Sequence, residues 1–190
     1  MGTSIQAKRI ALLAQKSEQI FHIKDLGVLW GISDSHTLRV TLKRYADAGL
    51  LHRIYRGFYA TFPLEKLDAA FVGAKALHGY CYLSTETILY REAYLSQKPH
   101  ALTFVSDSSK KFIIVGTQYL SRQLKPQFLF NPEGIVEMNG LKIATPERAI
   151  ADLLYFNPLA HFDRQVNWKQ IQKTQKAVGY PLTPQRYVAS

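Results

Sequence analysis

Ser33-Asp34-Ser35-His36-Thr37-Leu38-Arg39-Val40-Thr41-Leu42-Lys43-Arg44-Tyr45-Ala46-Asp47-Ala48-Gly49 runs straight into Leu50-Leu51-His52-Arg53-Ile54-Tyr55-Arg56-Gly57-Phe58-Tyr59-Ala60. Ser33, Asp34 and Ser35 carry short oxygen-bearing side chains that can take the free N–H groups of a starting helix. From about Ser35 to Ala48, Leu38, Leu42 and Tyr45 recur at i, i+4 and i+7, so they line one helical face. Gly49 stands where a left-handed residue stops a helix. The residues on both sides of Arg56-Gly57 favour strand, which predicts a hairpin.

Working outward toward the N-terminus, residues 4–15 read as a helix. Ser4 is positioned to cap it, and Ile5, Ile10, Leu12, Leu13 and Ala14 form its apolar side. A second short helix is expected from Phe21-His22-Ile23-Lys24-Asp25-Leu26, ending near Gly31. Three helices followed by a two-stranded hairpin is the order of a winged helix-turn-helix domain, assigned to residues 1–62. The boundary falls at Phe62-Pro63-Leu64-Glu65.

Beyond it, a helix is expected over Leu67–Leu77 and another from Ser84-Thr85-Glu86 to about Tyr94, with Ser84 as cap. Ala101–Ser106 and Phe112–Gly116 read as strands, and Phe128-Leu129-Phe130 as a further short one. Asn139-Gly140 between Ile135–Met138 and Leu141–Ile143 is a strong hairpin signal. Thr145-Pro146-Glu147 opens a helix to about Phe156, with Thr145 as cap and Pro146 at the first helical position. Residues 63–160 therefore make a small α/β domain. Residues 161–190 form a basic C-terminal extension whose segment Trp168–Val178 is helical. The fold class is α+β.

The 190 residues carry a formal net charge of +10, and 47% are hydrophobic against 20% charged. That balance excludes wholesale disorder. The basic excess sits at the ends. Residues 1–62 hold nine basic and four acidic side chains, residues 157–190 five and one, and the middle is near neutral. An anionic partner is implied. No apolar run approaches the twenty or so residues of a membrane span, so no membrane partner is expected. The start, Met1–Arg9, has no apolar core of signal-peptide length. The lone cysteine, Cys81, cannot form an internal disulfide, which points to a reducing, cytoplasmic setting.

An α-helix fits the DNA major groove with its early residues toward base edges. With Leu38, Leu42 and Tyr45 inward, Ser35, His36, Thr37, Arg39, Val40 and Lys43 lie on or near the opposite side. Ser35, His36, Thr37, Arg39 and Lys43 are the candidates for base or near-base contacts. Arg44, Arg53, Tyr55 and Arg56 are the candidates for the phosphate backbone, which sets register and not sequence preference. The bland alternative is a solvated basic helix beside a hairpin that closes a core. Two rivals from other classes stand beside DNA binding. One is a protein-docking module built on the same scaffold; the other is an enzyme on residues 63–160.

The six histidines (His22, His36, His52, His78, His100, His161) show no ligand spacing, so no metal is expected. Nucleophile-elbow, phosphate-loop and dinucleotide motifs are absent, so neither a cofactor nor an enzymatic activity is expected. Cys81 reads as a small core residue. Glu86, Arg91 and Glu92, like Glu147, Arg148 and Asp152, read as helix-surface pairs. Lys169, Lys173 and Lys176 make a basic stripe at i, i+4 and i+7. It reads as a solvated face or, more sharply, as a second contact to nucleic acid or another partner.

Three segments resemble the AbiEi-type antitoxins of type IV toxin–antitoxin (abortive infection) systems: Gly49–Tyr59, Tyr82-Leu83-Ser84-Thr85-Glu86-Thr87-Ile88-Leu89, and Ile143-Ala144-Thr145-Pro146-Glu147-Arg148-Ala149-Ile150-Ala151-Asp152-Leu153. They occur in the family's order. The resemblance implies a winged-helix DNA-binding domain followed by an antitoxin domain. It also implies repression of the operon that encodes the protein, with that operator as double-stranded DNA partner, and neutralisation of a nucleotidyltransferase-type toxin. A solitary regulator without a toxin is the alternative.

Overall fold

The structure, a computed structural model, describes residues 2–16, 18–63 and 66–184. The chain divides into two compact units, Met1–Asp68 and Ala69–Ser190. Both helices and sheets are present, so the fold is mixed α+β. The expected boundary at Phe62-Pro63-Leu64-Glu65 lies a few residues earlier, with Leu64 and Glu65 outside the described residues.

The first unit contains helix α1 (Gly2–Ala14), strand β1 (Ile20–His22), helices α2 (Ile23–Trp30) and α3 (Ser35–Asp47), and strands β2 (His52–Tyr55) and β3 (Phe58–Ala60). Helix α1 starts at Gly2, ahead of the cap position assigned to Ser4; the Ser4 side chain lies outside what is described. Phe21 and His22, expected in the second helix, are instead in strand. β1 pairs antiparallel with β3, setting Phe21 opposite Tyr59, and the sheet order is β1-β3-β2. Burying Ile20 and Phe21 against the sheet outweighs the weak local preference for helix. His22 then caps α2. Its ring nitrogen accepts from the Lys24 N–H, and the Asp25 carboxylate accepts from the His22 N–H, each at 3.3 Å.

Leu13, Phe21, Leu26, Trp30, Leu38, Leu42, Tyr45, Leu51 and Tyr59 form the buried core of this unit. Each large apolar side chain contributes about 1.5–3 kcal/mol by leaving water. Helices α2 and α3 meet closely at Gly27. A Cβ there would lie 3.0 Å from Leu38 Cδ2 and 3.1 Å from the Ile32 carbonyl oxygen, so the approach admits no larger residue without a shift.

The second unit contains α4 (Ala69–Leu77), β4 (Cys81–Leu83), α5 (Glu86–Arg91), β5 (Leu102–Ser106), β6 (Lys110–Ile114), β7 (Thr117–Gln123), α6 (Pro126–Leu129), β8 (Ile135–Met138), β9 (Leu141–Ala144), α7 (Pro146–Phe156) and α8 (Trp168–Val178). Its sheet runs β6-β7-β5-β4-β9-β8. The β4–β9 and β5–β7 pairs are parallel; β4–β5, β6–β7 and β8–β9 are antiparallel.

Several elements differ from the sequence expectation. The 112–116 strand ends at Ile114, because Val115 and Gly116, both at positive φ, make the turn into β7. Phe128-Leu129-Phe130 is not a strand: Pro126, which has no N–H for a ladder, starts the short helix α6, and Phe128 and Leu129 turn into the core. α5 stops at Arg91, where the Tyr94 N–H folds back to the Leu89 carbonyl at 2.7 Å. Thr85, not Ser84, stands at its N-cap, and it makes no side-chain capping bond.

The C-terminal segment is not a separate extension. α8 packs on α7 within the second unit, burying Ile171, Thr174, Gln175 and Val178, while Tyr180 enters the same core. Residues 185–190 lie outside the described residues.

Candidate nucleic-acid interface

Helix α3 is started by Asp34, whose Oδ1 accepts from the Thr37 N–H at 2.7 Å. The hydrogen bonding from Thr37 holds the Asp34 carboxyl below its ordinary value. This carboxylate takes one of the free amides of the first turn and fixes where the helix starts.

Leu38, Leu42 and Tyr45 point inward and are buried. Ser35, His36, Thr37, Arg39, Val40, Lys43 and Arg44 are all exposed. At about 100° per residue, Val40, His36, Lys43 and Arg44 point furthest from the buried side, whereas Ser35 and Arg39 lie on one flank and Thr37 on the other. Of the six candidates on α3, His36, Lys43 and Arg44 therefore share the outward face, and Ser35, Arg39 and Thr37 border it. Asp47, in the last turn, is the acid on that face.

The other three candidates are on the hairpin. Arg53 and Arg56 are exposed and Tyr55 is half-buried. The β2–β3 register slips between Arg53 and Tyr55, so that Arg53 faces Tyr59 and Tyr55 faces Phe58. A bulge of this kind sharpens twist and re-aims side chains at a hairpin end. Among the described residues no acidic side chain forms an ion pair with Arg39, Lys43, Arg44, Arg53 or Arg56. These cations are therefore held in water, where partnering a phosphate costs little desolvation.

The second unit treats its charges in the opposite way. Arg148 and Asp152, expected on the surface, are both fully buried. All five guanidinium N–H groups are used. Nε donates to Asp152 Oδ1 at 2.9 Å, Nη1 to the carbonyls of Asn131 and Glu133, and Nη2 to Tyr82 Oη and the Phe128 carbonyl. Asp152 also accepts from Ser84 Oγ at 2.7 Å and Tyr180 Oη at 2.6 Å. Burial alone would lower the Arg148 pKa, but the facing Asp152 carboxylate outweighs it and the net shift is upward. Burial also raises Tyr82 and Tyr180. With every guanidinium donor spent, Arg148 has no hydrogen left for a ligand, and the cluster ties α7 to β4, to the 128–133 loop and to Tyr180 beyond α8.

A further departure is at Glu86. It pairs with Arg122 of β7, and not with neighbours on its own helix. Burial works against its charge, yet the Arg122 hydrogen bonds hold its carboxyl below the ordinary value. Cys81 is buried, its Sγ 3.6 Å from the Ala74 carbonyl, and burial pushes the thiol up to about 11. That is the setting of a core residue, not of a thiolate nucleophile. Lys169, Lys173 and Lys176 share the exposed side of α8.

Tyr82, Ser84 and Tyr180 were not readable as partners of Arg148 and Asp152, because they lie 28–68 residues away along the chain. One signal is in the sequence: Ala149, Ile150, Ala151, Leu153 and Leu154 surround the pair, so the residues nearest it on α7 are all apolar. Among the described residues no three His, Cys, Asp or Glu side chains converge as metal ligands, and no helix is long and apolar enough to cross a membrane.

Neither a protein-family model nor a curated protein matches this sequence. Among solved structures, the fold is similar to the crystal structure of RV2827C protein from Mycobacterium tuberculosis. The TM-score is 0.55 at 11% identity, covering 94% of this chain and 72% of that one. At that identity the likeness is one of fold.

Proposed function

We propose that the Met1–Asp68 unit is a winged helix-turn-helix, with α2 and α3 as the helix pair and the β2–β3 hairpin as the wing, and that the protein is a DNA-binding transcriptional regulator. The observation that carries this is the outward face of α3: a helix of groove-filling size with Arg39, Lys43 and Arg44 exposed and, among the described residues, without ion-pair partners. Ser35, His36, Thr37, Arg39 and Lys43 read base edges or lie beside them. Arg44, Arg53, Tyr55 and Arg56 grip the backbone and set register. No cofactor or metal enters this reading.

We further propose, from the three resembling segments, that the regulator is of the AbiEi antitoxin type. It would repress the operon that encodes it and counteract a nucleotidyltransferase-type toxin. What supports this is that the buried network joins two of those segments: Ser84 of the second donates to Asp152 of the third, and Arg148 of the third donates to Tyr82 of the second. The motif residues thus have a shared architectural task, and toxin recognition falls to the surface of that unit.

The test is a gel shift of the full chain on duplex from upstream of its own reading frame, across salt. Retardation at about 50 mM salt that weakens steeply by about 200 mM is expected. No shift at low salt contradicts the DNA reading and favours a protein-docking module. Operator binding without rescue of growth when a nucleotidyltransferase from the adjacent gene is co-expressed leaves a solitary regulator.

A further inference from the structure

Val40 is the aliphatic side chain on the outward face of α3. It is 44% exposed, and it points about 170° from the mean direction of Leu38, Leu42 and Tyr45 at 100° per residue. Its four helical neighbours, at i−4, i−3, i+3 and i+4, are His36, Thr37, Lys43 and Arg44. Every one of them carries a hydrogen-bonding side chain. The face is therefore an aliphatic centre inside a polar and cationic ring, the arrangement of a contact that excludes water at its middle.

A β-branched residue is a poorer helix former than alanine, leucine or lysine. The branching does have one benefit, because valine in a helix holds a single χ1 rotamer, so little side-chain freedom is lost on contact.

We infer that Val40 reads the 5-methyl group of thymine. That methyl is the apolar feature the major groove presents, and apolar side chains are what recognise it. Val40 lies in the second turn of α3, within the part of the helix that approaches base edges, whereas Asp47 on the same line lies about 10 Å further toward the C-terminal end. This inference rests on the DNA reading above and adds a specificity element to it: a thymine at a fixed step of the site, flanked by contacts from His36 and Lys43.

The experiment starts from a randomised duplex library, selected with the full chain at fixed salt. Each thymine of the enriched site is then replaced singly by uracil, which removes the methyl and leaves the hydrogen-bonding edge intact. One replacement is expected to weaken binding about fourfold, the worth of one buried methyl group. Val40→Ala, at an exposed position where alanine is the better helix former, should bind the thymine site at least fourfold more weakly and be indifferent to that same uracil. Wild-type binding that ignores every thymine-to-uracil change overturns the inference while leaving DNA recognition standing. Sensitivity to uracil that persists undiminished in Val40→Ala overturns it as well, by assigning the methyl to another residue. Failure to enrich any site, with no shift at low salt, overturns the DNA reading itself and the inference with it.

Discussion

Helices α3 and α7 begin alike and end with opposite roles. Each has a capping oxygen that accepts from the amide three residues on, Asp34 from Thr37 and Thr145 from Arg148. Each carries arginine. In α3 the buried residues occupy one side only, so Arg39, Lys43 and Arg44 stay exposed to water. In α7 every residue from Arg148 to Leu154 is buried, and Arg148 spends all five donors inside the protein. The identity of a residue says little about its work; the number of donors its surroundings leave unspent says more. By that measure α3 is where the proposed binding would fall, and the cluster on α7 belongs to architecture.

The comparison predicts that the two helices fail differently when altered. The largest effect falls on α7. Asp152→Ala leaves a buried guanidinium without its counter-charge and should cost about 3–5 kcal/mol. A urea denaturation midpoint that barely moves would remove the network from its structural role. On α3, Arg39→Ala should leave the fold intact and weaken operator binding by about 1–3 kcal/mol, with a smaller loss on random duplex. Equal losses on both duplexes would take Arg39 out of base readout.

Arg56→Ala on the hairpin should weaken both duplexes alike and flatten the slope of log affinity against log salt by about one unit. An unchanged slope would mean that the hairpin tip does not touch phosphate. The smallest effect concerns pH. Glu86 is held below its ordinary value of 4.5, so its contribution to stability is present above that pH and is lost as the pH falls through the lowered folded value. Glu86→Gln should therefore be less stable than wild type near neutrality, with the gap narrowing as acid is added below pH 4.5. A gap constant with pH would mean that Arg122 gains nothing from the charge.

What could be read from sequence depended on whether the signal was local. The α3 register, its start near Asp34 and the turn at Arg56-Gly57 all rest on neighbours within a few residues, and each is present in the structure. The same holds for Thr145-Pro146 and for Asn139-Gly140. β1 and β4 are three residues each, too short for alternation to stand out. β7 buries Tyr119 and Ser121, and a buried serine hides the apolar period. The candidate site on α3 was legible as a set of residues, because one helical face follows directly from spacing. The same spacing places Val40 on the side opposite Leu38, Leu42 and Tyr45, but an uncharged aliphatic side chain carries no local signal of what it contacts. The burial of Arg148 and Asp152 needed partners far along the chain, and no local pattern supplies those.

The most direct measurement is hydroxyl-radical footprinting of the full chain with and without saturating duplex. His36 on α3 and Tyr55 on the hairpin are oxidisable, and so is the exposed Met138 of the second unit. Bound DNA should slow labelling of His36 and Tyr55 several-fold and leave Met138 unchanged. Unaltered labelling of His36 under saturating duplex would contradict the assignment of α3 as the helix that meets DNA.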